Sequence, residues 1–246
     1  MKRFREYAPP SSAPTRTPHA PALPGLHLPL HRQVTPCPGK STLLTLGASA
    51  STPQEGRVLY GDLDLSRHRH AQRYRHKASW LPQNPGFLPG MTCREHVAYV
   101  GWLKGMRERD AGKAAPDAIE RVGLTDKLNS KIKTLSGGQR QRIAIAQALV
   151  HEAEVLLLDE PTVGLDPHQR RRFLDLLASL RGTVHAIVST HDIGDLDQTF
   201  DSVIVLASGR SRFQGTVEEF AGHAAPDCAP GRRLESAYSV LLGAAE

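Results

Sequence analysis

Several short runs in this sequence combine residue types that hold phosphate and activate water. Gly39-Lys40-Ser41-Thr42, followed by apolar Leu43 and Leu44, sets a small residue, a cation and two hydroxyls at the start of a helical stretch. A helix start offers free N–H groups and the positive end of the peptide dipole to an anion, the lysine adds charge, and the serine hydroxyl is a ligand for Mg²⁺. A plain loop before a helix would read the same way. Val155-Leu156-Leu157-Leu158-Asp159-Glu160-Pro161 reads as a buried strand delivering two carboxylates to its end, where ligands of open α/β sheets gather. Asp159 suits Mg²⁺ binding through water, and Glu160 suits orienting and deprotonating an attacking water. The alternative for that run alone is a strand ending in a solvated acidic turn. Leu135-Ser136-Gly137-Gly138-Gln139 runs into a helix over Arg140 to Val150. Ser136 and Gln139 have capping-box spacing, and the paired glycines let backbone N–H groups approach an anion closely. A simple capped helix is the alternative there. Order argues against the simpler readings, because this run ends just before the Asp159-Glu160 strand and His191 follows the next strand at the matching sheet edge.

These residues need an alternating α/β framework, and from Gly39 onward the pattern supplies one. Gly56 to Tyr60 and Lys77 to Leu81 read as strands, and a mainly helical region follows from about Thr92 to Lys133. Thr92 and Glu95 carry a second capping box, which marks a helix start. Val155 to Leu158, Val184 to Ser189 and Val203 to Ala207 are short β-branched or leucine-rich runs, the pattern of strands buried on both faces. Between the first two, Phe173, Leu176, Leu177 and Leu180 recur at helical spacing opposite polar Gln169 to Arg172. Leu234, Ala237, Tyr238 and Leu241 make a short helical stripe near the end.

Residues 1–38 follow another grammar. They hold nine of the eighteen prolines, and each proline fixes φ and removes an N–H donor. The strand-like alternation of Leu26, Leu28 and Leu30 is broken at Pro29. This composition predicts an arm without regular sheet or helix. It also carries Lys2, Arg3, Arg5, Arg16 and Arg32 against Glu6, which is +4 of the net +6. The remainder is ordinary for a domain of this size and gives no basis for a nucleic-acid surface. The three cysteines, Cys37, Cys93 and Cys228, suit neither a disulfide framework nor a metal knuckle, which predicts a reducing setting. No apolar run approaches the roughly 18 to 20 residues needed to span a bilayer, and the proline-rich start does not read as an export signal.

Taken together, Ser136-Gly137-Gly138-Gln139-Arg140-Gln141-Arg142 resembles the signature of ABC ATPases, and Leu156 to Pro161 resembles their Walker B segment. Gly164-Leu165-Asp166 is similar to the family's D-loop, His191 to its switch histidine, and Gln83 in Leu81-Pro82-Gln83 to its Q-loop glutamine. The resemblance implies an α/β fold of the P-loop NTPase, ABC type: a mainly parallel sheet flanked by helices, with a helical subdomain at about 84–134 and N-terminal strands missing or disordered. The implied divisions are an atypical proline-rich segment at 1–38, an ATPase domain at 39–222 and a C-terminal tail with a short helix at 223–246. The implied cofactors are ATP and Mg²⁺. Gly39, Lys40, Ser41 and Thr42 of one copy and Ser136, Gly137, Gly138 and Gln139 of a second would sandwich ATP. Glu160 would be the general base, His191 would contact the γ-phosphate, Gln83 would sense Mg²⁺ and the membrane partner, and Ser41, Gln83 and Asp159 would hold the metal. The implied partners are a second ATP-binding subunit and a transmembrane permease, with no nucleic acid, and the implied place is the cytoplasmic face of the cell membrane. Asn84 to Met106 is similar to bacterial efflux-type ATPases, which implies export of drug-like or peptide substrates.

One stretch departs from the family pattern. Val34 and Cys37 stand where the family has glycine, and Pro36 and Pro38 remove two donors from the phosphate loop. This predicts a weakened phosphate cradle and a central sheet lacking the strand beside it. Two other readings stay open: a soluble ABC ATPase acting on ribosomes or DNA, and an ABC domain impaired by its altered loop. The single domain and the gap of about fifty residues between Gln83 and Ser136 disfavour the first of these.

Overall fold

The computed structural model describes residues 26–27, 39–195, 199–207 and 209–243. Its centre is a parallel sheet of β4 (Ala78–Leu81), β5 (Val155–Asp159) and β6 (His185–Ser189), in that spatial order. β5 is buried along its whole length, and its alternating side chains divide the core. Leu156 and Leu158 point to one face, where they join Val97, Ile119, Ile143, Ile145 and Phe173. Val155 and Leu157 point to the other, where they meet Leu44, Leu63 and Tyr74. The period-two geometry of a strand sends consecutive residues to opposite sides. A run apolar at every position is therefore what a sheet covered on both faces requires.

The first face is covered by α5 (Gly137–Leu149), α6 (Pro167–Ser179) and the helical region. That region resolves into α3 (Cys93–Leu103) and α4 (Glu108–Arg121), followed by single turns of 3₁₀ helix at Thr125–Lys127 and Ile132–Thr134. α3 begins at the capping box read from the sequence: the Thr92 hydroxyl accepts from the Glu95 N–H at 3.2 Å, and the Glu95 carboxylate accepts from the Thr92 N–H at 2.8 Å. The opposite face is covered by α1 (Lys40–Gly47) and α2 (His68–Arg75).

Several expectations need correction. The strand expected over Gly56 to Tyr60 is shorter: Gly56 turns with φ +80°, and only Leu59–Tyr60 (β2) pairs, with Leu63–Asp64 (β3). Part of the proline-rich arm does join a sheet, since Leu26–His27 (β1) pairs antiparallel with β2. A two-residue strand fits between Pro24 and Pro29, so the prolines limit its length without abolishing it. The remaining expectations for 1–38, including those for Val34, Pro36, Cys37 and Pro38, lie outside the described residues. The run at Val203 to Ala207 is not a strand buried on both faces. It forms β7 (Ser202–Ala207), paired antiparallel with β8 (Arg210–Thr216) in a separate ribbon. One side of that ribbon packs on α7 (Val217–Ala221) and α8 (Arg233–Gly243) through Val203, Val205, Phe220, Leu234 and Ala237. β6 is also less covered than its sequence suggested: His185 is exposed and Ala186 to Val188 are half-buried. Among the described residues no strand pairs with its outer edge.

Candidate functional site

The site forms where β5 and β6 end. Parallel pairing sets Asp159 opposite Ser189, so Glu160 and the Thr190-His191 pair emerge side by side at the carboxyl edge. α1 begins at the same edge and packs on β5 and β6. Gly39 is its N-cap and has no side chain with which to cap it, so the first turn presents backbone N–H groups and positive dipole outward. Lys40 reaches across from this turn. Its Nζ donates to Glu160 Oε1 at 2.8 Å and to the Thr190 carbonyl at 2.8 Å. The other Glu160 oxygen, Oε2, lies 2.8 Å from His191 Nδ1. A cation 120 positions before Glu160 and an imidazole 31 positions after it thus meet on one carboxylate.

Burial works to raise the Glu160 pKa and is the largest single influence on it. The hydrogen bonds and charges of Lys40 and His191 together outweigh burial, so the carboxyl lies below the ordinary glutamate value. Glu160 also occupies the left-handed region, with φ +47°, a conformation that requires support from its surroundings. The support comes from Ser189, whose carbonyl and hydroxyl both accept from the Glu160 N–H, at 3.1 and 2.9 Å. The same hydroxyl donates to Asp159 Oδ1 at 2.6 Å. Just beyond, Asp192 pairs with Arg170, and that hydrogen bond is the main reason its carboxyl lies below the usual aspartate value.

Ser136, Gly138 and Gln139 form a second locus. The box read from the sequence is present: Ser136 Oγ accepts from the Gln139 N–H at 3.3 Å, and the Gln139 side chain accepts from the Ser136 N–H at 2.9 Å. With Arg142, Asp166, His168, Gln169 and Arg172 these residues line a cavity of about 200 Å³. The Gln169 side chain lies directly over Gly138, where a Cβ would displace it. Asp166 caps α6 by accepting from the Gln169 N–H at 2.8 Å.

The structure therefore joins Lys40, Glu160 and His191, and gathers Ser136, Gly138 and Gln139 separately. Ser41 and Thr42 are exposed on the first turn of α1. Gln83 is exposed two residues beyond β4, whose last residue, Leu81, pairs with Leu158. It shares the carboxyl edge but forms no hydrogen bond to the Lys40 group among the described residues. Asp159 is 6% exposed. Sequence reading missed Ser189 and the Thr190 carbonyl, and the only available signal was their place at the end of the strand that leads to His191. It also missed Gln169, which a one-residue reading of the capped α6 could have placed.

As a donor set, Ser41, Gln83 and Asp159 fit Mg²⁺. All three offer oxygen, and this ion takes few protein ligands and completes its shell with phosphate and water.

The sequence profile of the family described as ABC transporter matches residues 37–163, more than half of the chain. The chain is 33% identical over 182 residues to the uncharacterized ABC transporter ATP-binding protein YxlF of Bacillus subtilis, covering 74% of this chain and 59% of YxlF. It is 30% identical over 179 residues to the linearmycin resistance ATP-binding protein LnrL of the same organism, covering 72% of this chain and 57% of LnrL. The chain thus spans a little under 60% of the length of these two relatives. Among solved structures, cbiO1 from Clostridium perfringens, part of the ABC transporter complex cbiONQ, matches with a TM-score of 0.66 and 30% identity over 74% of each chain. The profile match over more than half of the chain shows that this chain belongs to the ABC transporter family.

Proposed function

We propose that this chain is an ATP-hydrolysing subunit that energises an ABC transporter. The observation that carries the reading is the contact of Lys40, Glu160 and His191 at one sheet edge. Both Glu160 oxygens are engaged, one by Lys40 and one by His191. A β,γ-phosphate at the start of α1 would draw the Lys40 ammonium onto itself. That frees Glu160 Oε1 to accept a proton from an attacking water, while His191 stays beside the reacting phosphate. Base activation of water of this kind contributes about 10²–10⁴-fold. Mg²⁺, held by Ser41, Asp159 and Gln83, would neutralise charge on the phosphates.

The Ser136 cavity is lined by Arg142, His168 and Arg172 as well as by the capped helix start, which suits an anion. In this reading it covers the ATP held by Lys40 of a second copy, so the working unit is a dimer that closes on ATP and opens after hydrolysis. Leu88, Tyr99, Trp102 and Leu103 are 41, 36, 53 and 59% exposed, an apolar display on and before α3 that suits a separate membrane permease. No helix among the described residues is long and apolar enough to cross a membrane itself, so the reading assigns the membrane passage to that partner and the chain to the cytoplasmic face. The efflux-type pattern at Asn84 to Met106 and the resistance named for LnrL favour export of drug-like or peptide substrates as the direction.

The test is ATP turnover by the purified chain beside Lys40→Ala and Glu160→Gln. Turnover should fall about 10²-fold or more in both, and Glu160→Gln should accumulate as a dimer with ATP on light scattering. Equal rates in all three chains would remove the assigned roles. Substrate leaving the cytoplasm in vesicles that carry chain and permease would support export, and uptake would reverse the direction.

A further inference from the structure

Ser189 does more at the carboxyl edge than close a strand. Its hydroxyl has one proton and spends it on Asp159 Oδ1, at 2.6 Å, while its lone pair takes the Glu160 N–H at 2.9 Å. Both possible roles of the hydroxyl are thus used, in opposite directions, on two consecutive residues. Ser189 and Asp159 are each 6% exposed, so water has little access with which to replace either bond. The bond to Asp159 leaves Oδ2 as that carboxylate's oxygen for a metal. The bond to Glu160, shared with the Ser189 carbonyl, supports a backbone at φ +47°, which a residue with a Cβ adopts only when held. The following carbonyl, that of Thr190, accepts from Lys40. The end of β6 therefore touches the cation and both carboxylates of the site.

Resting on the ATPase reading above, we propose that Ser189 is a positioning residue for ATP hydrolysis, fixing Asp159 and Glu160 so that the metal-binding and water-activating carboxylates keep a set spacing and direction. Ser189 does not touch the reacting atoms. It acts through the two residues that do, as the hydrogen-bond partners of metal-binding carboxylates do elsewhere.

The experiment compares the full chain with Ser189→Ala and Ser189→Thr. Steady-state turnover is measured against ATP at saturating Mg²⁺ and against Mg²⁺ at saturating ATP, with amide hydrogen exchange at Glu160 followed without nucleotide. Ser189→Ala should lower kcat about 10–100-fold and raise the Mg²⁺ concentration for half-activation by a similar factor, with the KM for ATP changing by less than about threefold. Its Glu160 amide should exchange about tenfold faster or more. Ser189→Thr keeps the hydroxyl and should return kcat and Mg²⁺ dependence to within about threefold of the parent. Unchanged kcat and Mg²⁺ dependence in a folded Ser189→Ala chain would overturn the proposal. So would Ser189→Thr losing as much as Ser189→Ala. Should alanine prevent folding, Ser189→Cys keeps the volume with a weaker donor and must show the same split between kcat and ATP KM. If no chain, parent included, hydrolyses ATP, the ATPase reading falls. Glu160 amide exchange then still decides whether Ser189 holds the turn, and equal rates in parent and Ser189→Ala would overturn that too.

Discussion

Glu160 combines two things that sequence alone keeps apart: a carboxylate facing Lys40 and His191, and a backbone in the left-handed region. The second is a stability statement. Relieving a left-handed Cβ gains about 1–2 kcal/mol, and glycine's extra freedom in the unfolded chain takes back about 0.5–1 kcal/mol. Glu160→Gly should therefore be at least as stable as Glu160→Ala, by up to about 1.5 kcal/mol in urea unfolding, since neither retains the carboxylate. A lower midpoint for Glu160→Gly would mean that no strain resides at this residue. The carboxylate itself was legible from its place after an apolar run. Its backbone state was not, because φ at this position depends on the Ser189 carbonyl and hydroxyl.

At the scale of elements, three helices end at one place. The C-terminal turns of α1, α2 and α3 carry partial negative charge, and two cations answer it. Arg75, the last residue of α2, donates through Nη2 and Nε to the Ser49 carbonyl at 2.7 and 3.1 Å, just past α1. Lys104, the C-cap of α3, donates to the Ala78 carbonyl at 2.9 Å and the Arg75 carbonyl at 3.3 Å. His76 Nδ1 sits 2.7 Å from the Lys104 carbonyl. The cations line a cavity of about 380 Å³ with Trp80 and Ser49. Burial, and then repulsion from Arg75, lowers the Lys104 pKa. Both effects oppose placing the charge there, so its hydrogen bonds must compensate. Lys104→Met should cost about 1–3 kcal/mol by urea unfolding, whereas exposed Arg73→Met on α2 should stay within about 0.5 kcal/mol. A loss no larger than that of Arg73→Met would show that Lys104 is not a structural tie. The capping boxes at Thr92 and Ser136, by contrast, were visible in the sequence because each joins residues only three positions apart.

For the molecule as a whole, histidines set the response to mild acid. Burial first, then the charges of Lys104 and His76, hold His151 down to about 4 from 6.5, against an opposing pull from the Ala78 carbonyl. Burial likewise lowers His96, partly countered by Gln147. A base whose folded pKa lies below its unfolded one leaves the unfolded chain binding more protons as pH falls. Its contribution is complete above 6.5 and is lost between 6.5 and about 4. The lowered carboxyls of Glu160, Glu154 and Asp192 act in the same direction at lower pH, adding stability above their unfolded values of 4.5, 4.5 and 3.8 and losing it as pH falls through the folded ones. The urea midpoint should be flat above neutrality and decline from about pH 6.5 downward, with a shallower decline in His151→Leu. A midpoint unchanged between pH 7 and about 4.5 would contradict this assignment.

By itself the sequence determined the family and most of the elements. Capping boxes, the Gly-Lys-Ser-Thr start and the Asp159-Glu160 pair are local patterns, and an apolar run such as Val155 to Leu158 specifies burial without knowledge of its neighbours. It did not determine that Lys40 rests on Glu160, that Ser189 joins Asp159 to the Glu160 backbone, or that the Gln169 side chain lies over Gly138. Nor did it show that β7 pairs with β8 away from the central sheet, or that β6 has an uncovered outer edge among the described residues. The physical reason is register. The contacts of Lys40, Ser189 and Gly138 join segments tens of residues apart, and hydrophobic spacing fixes which face of a strand is buried but not which residue of the next strand lies opposite.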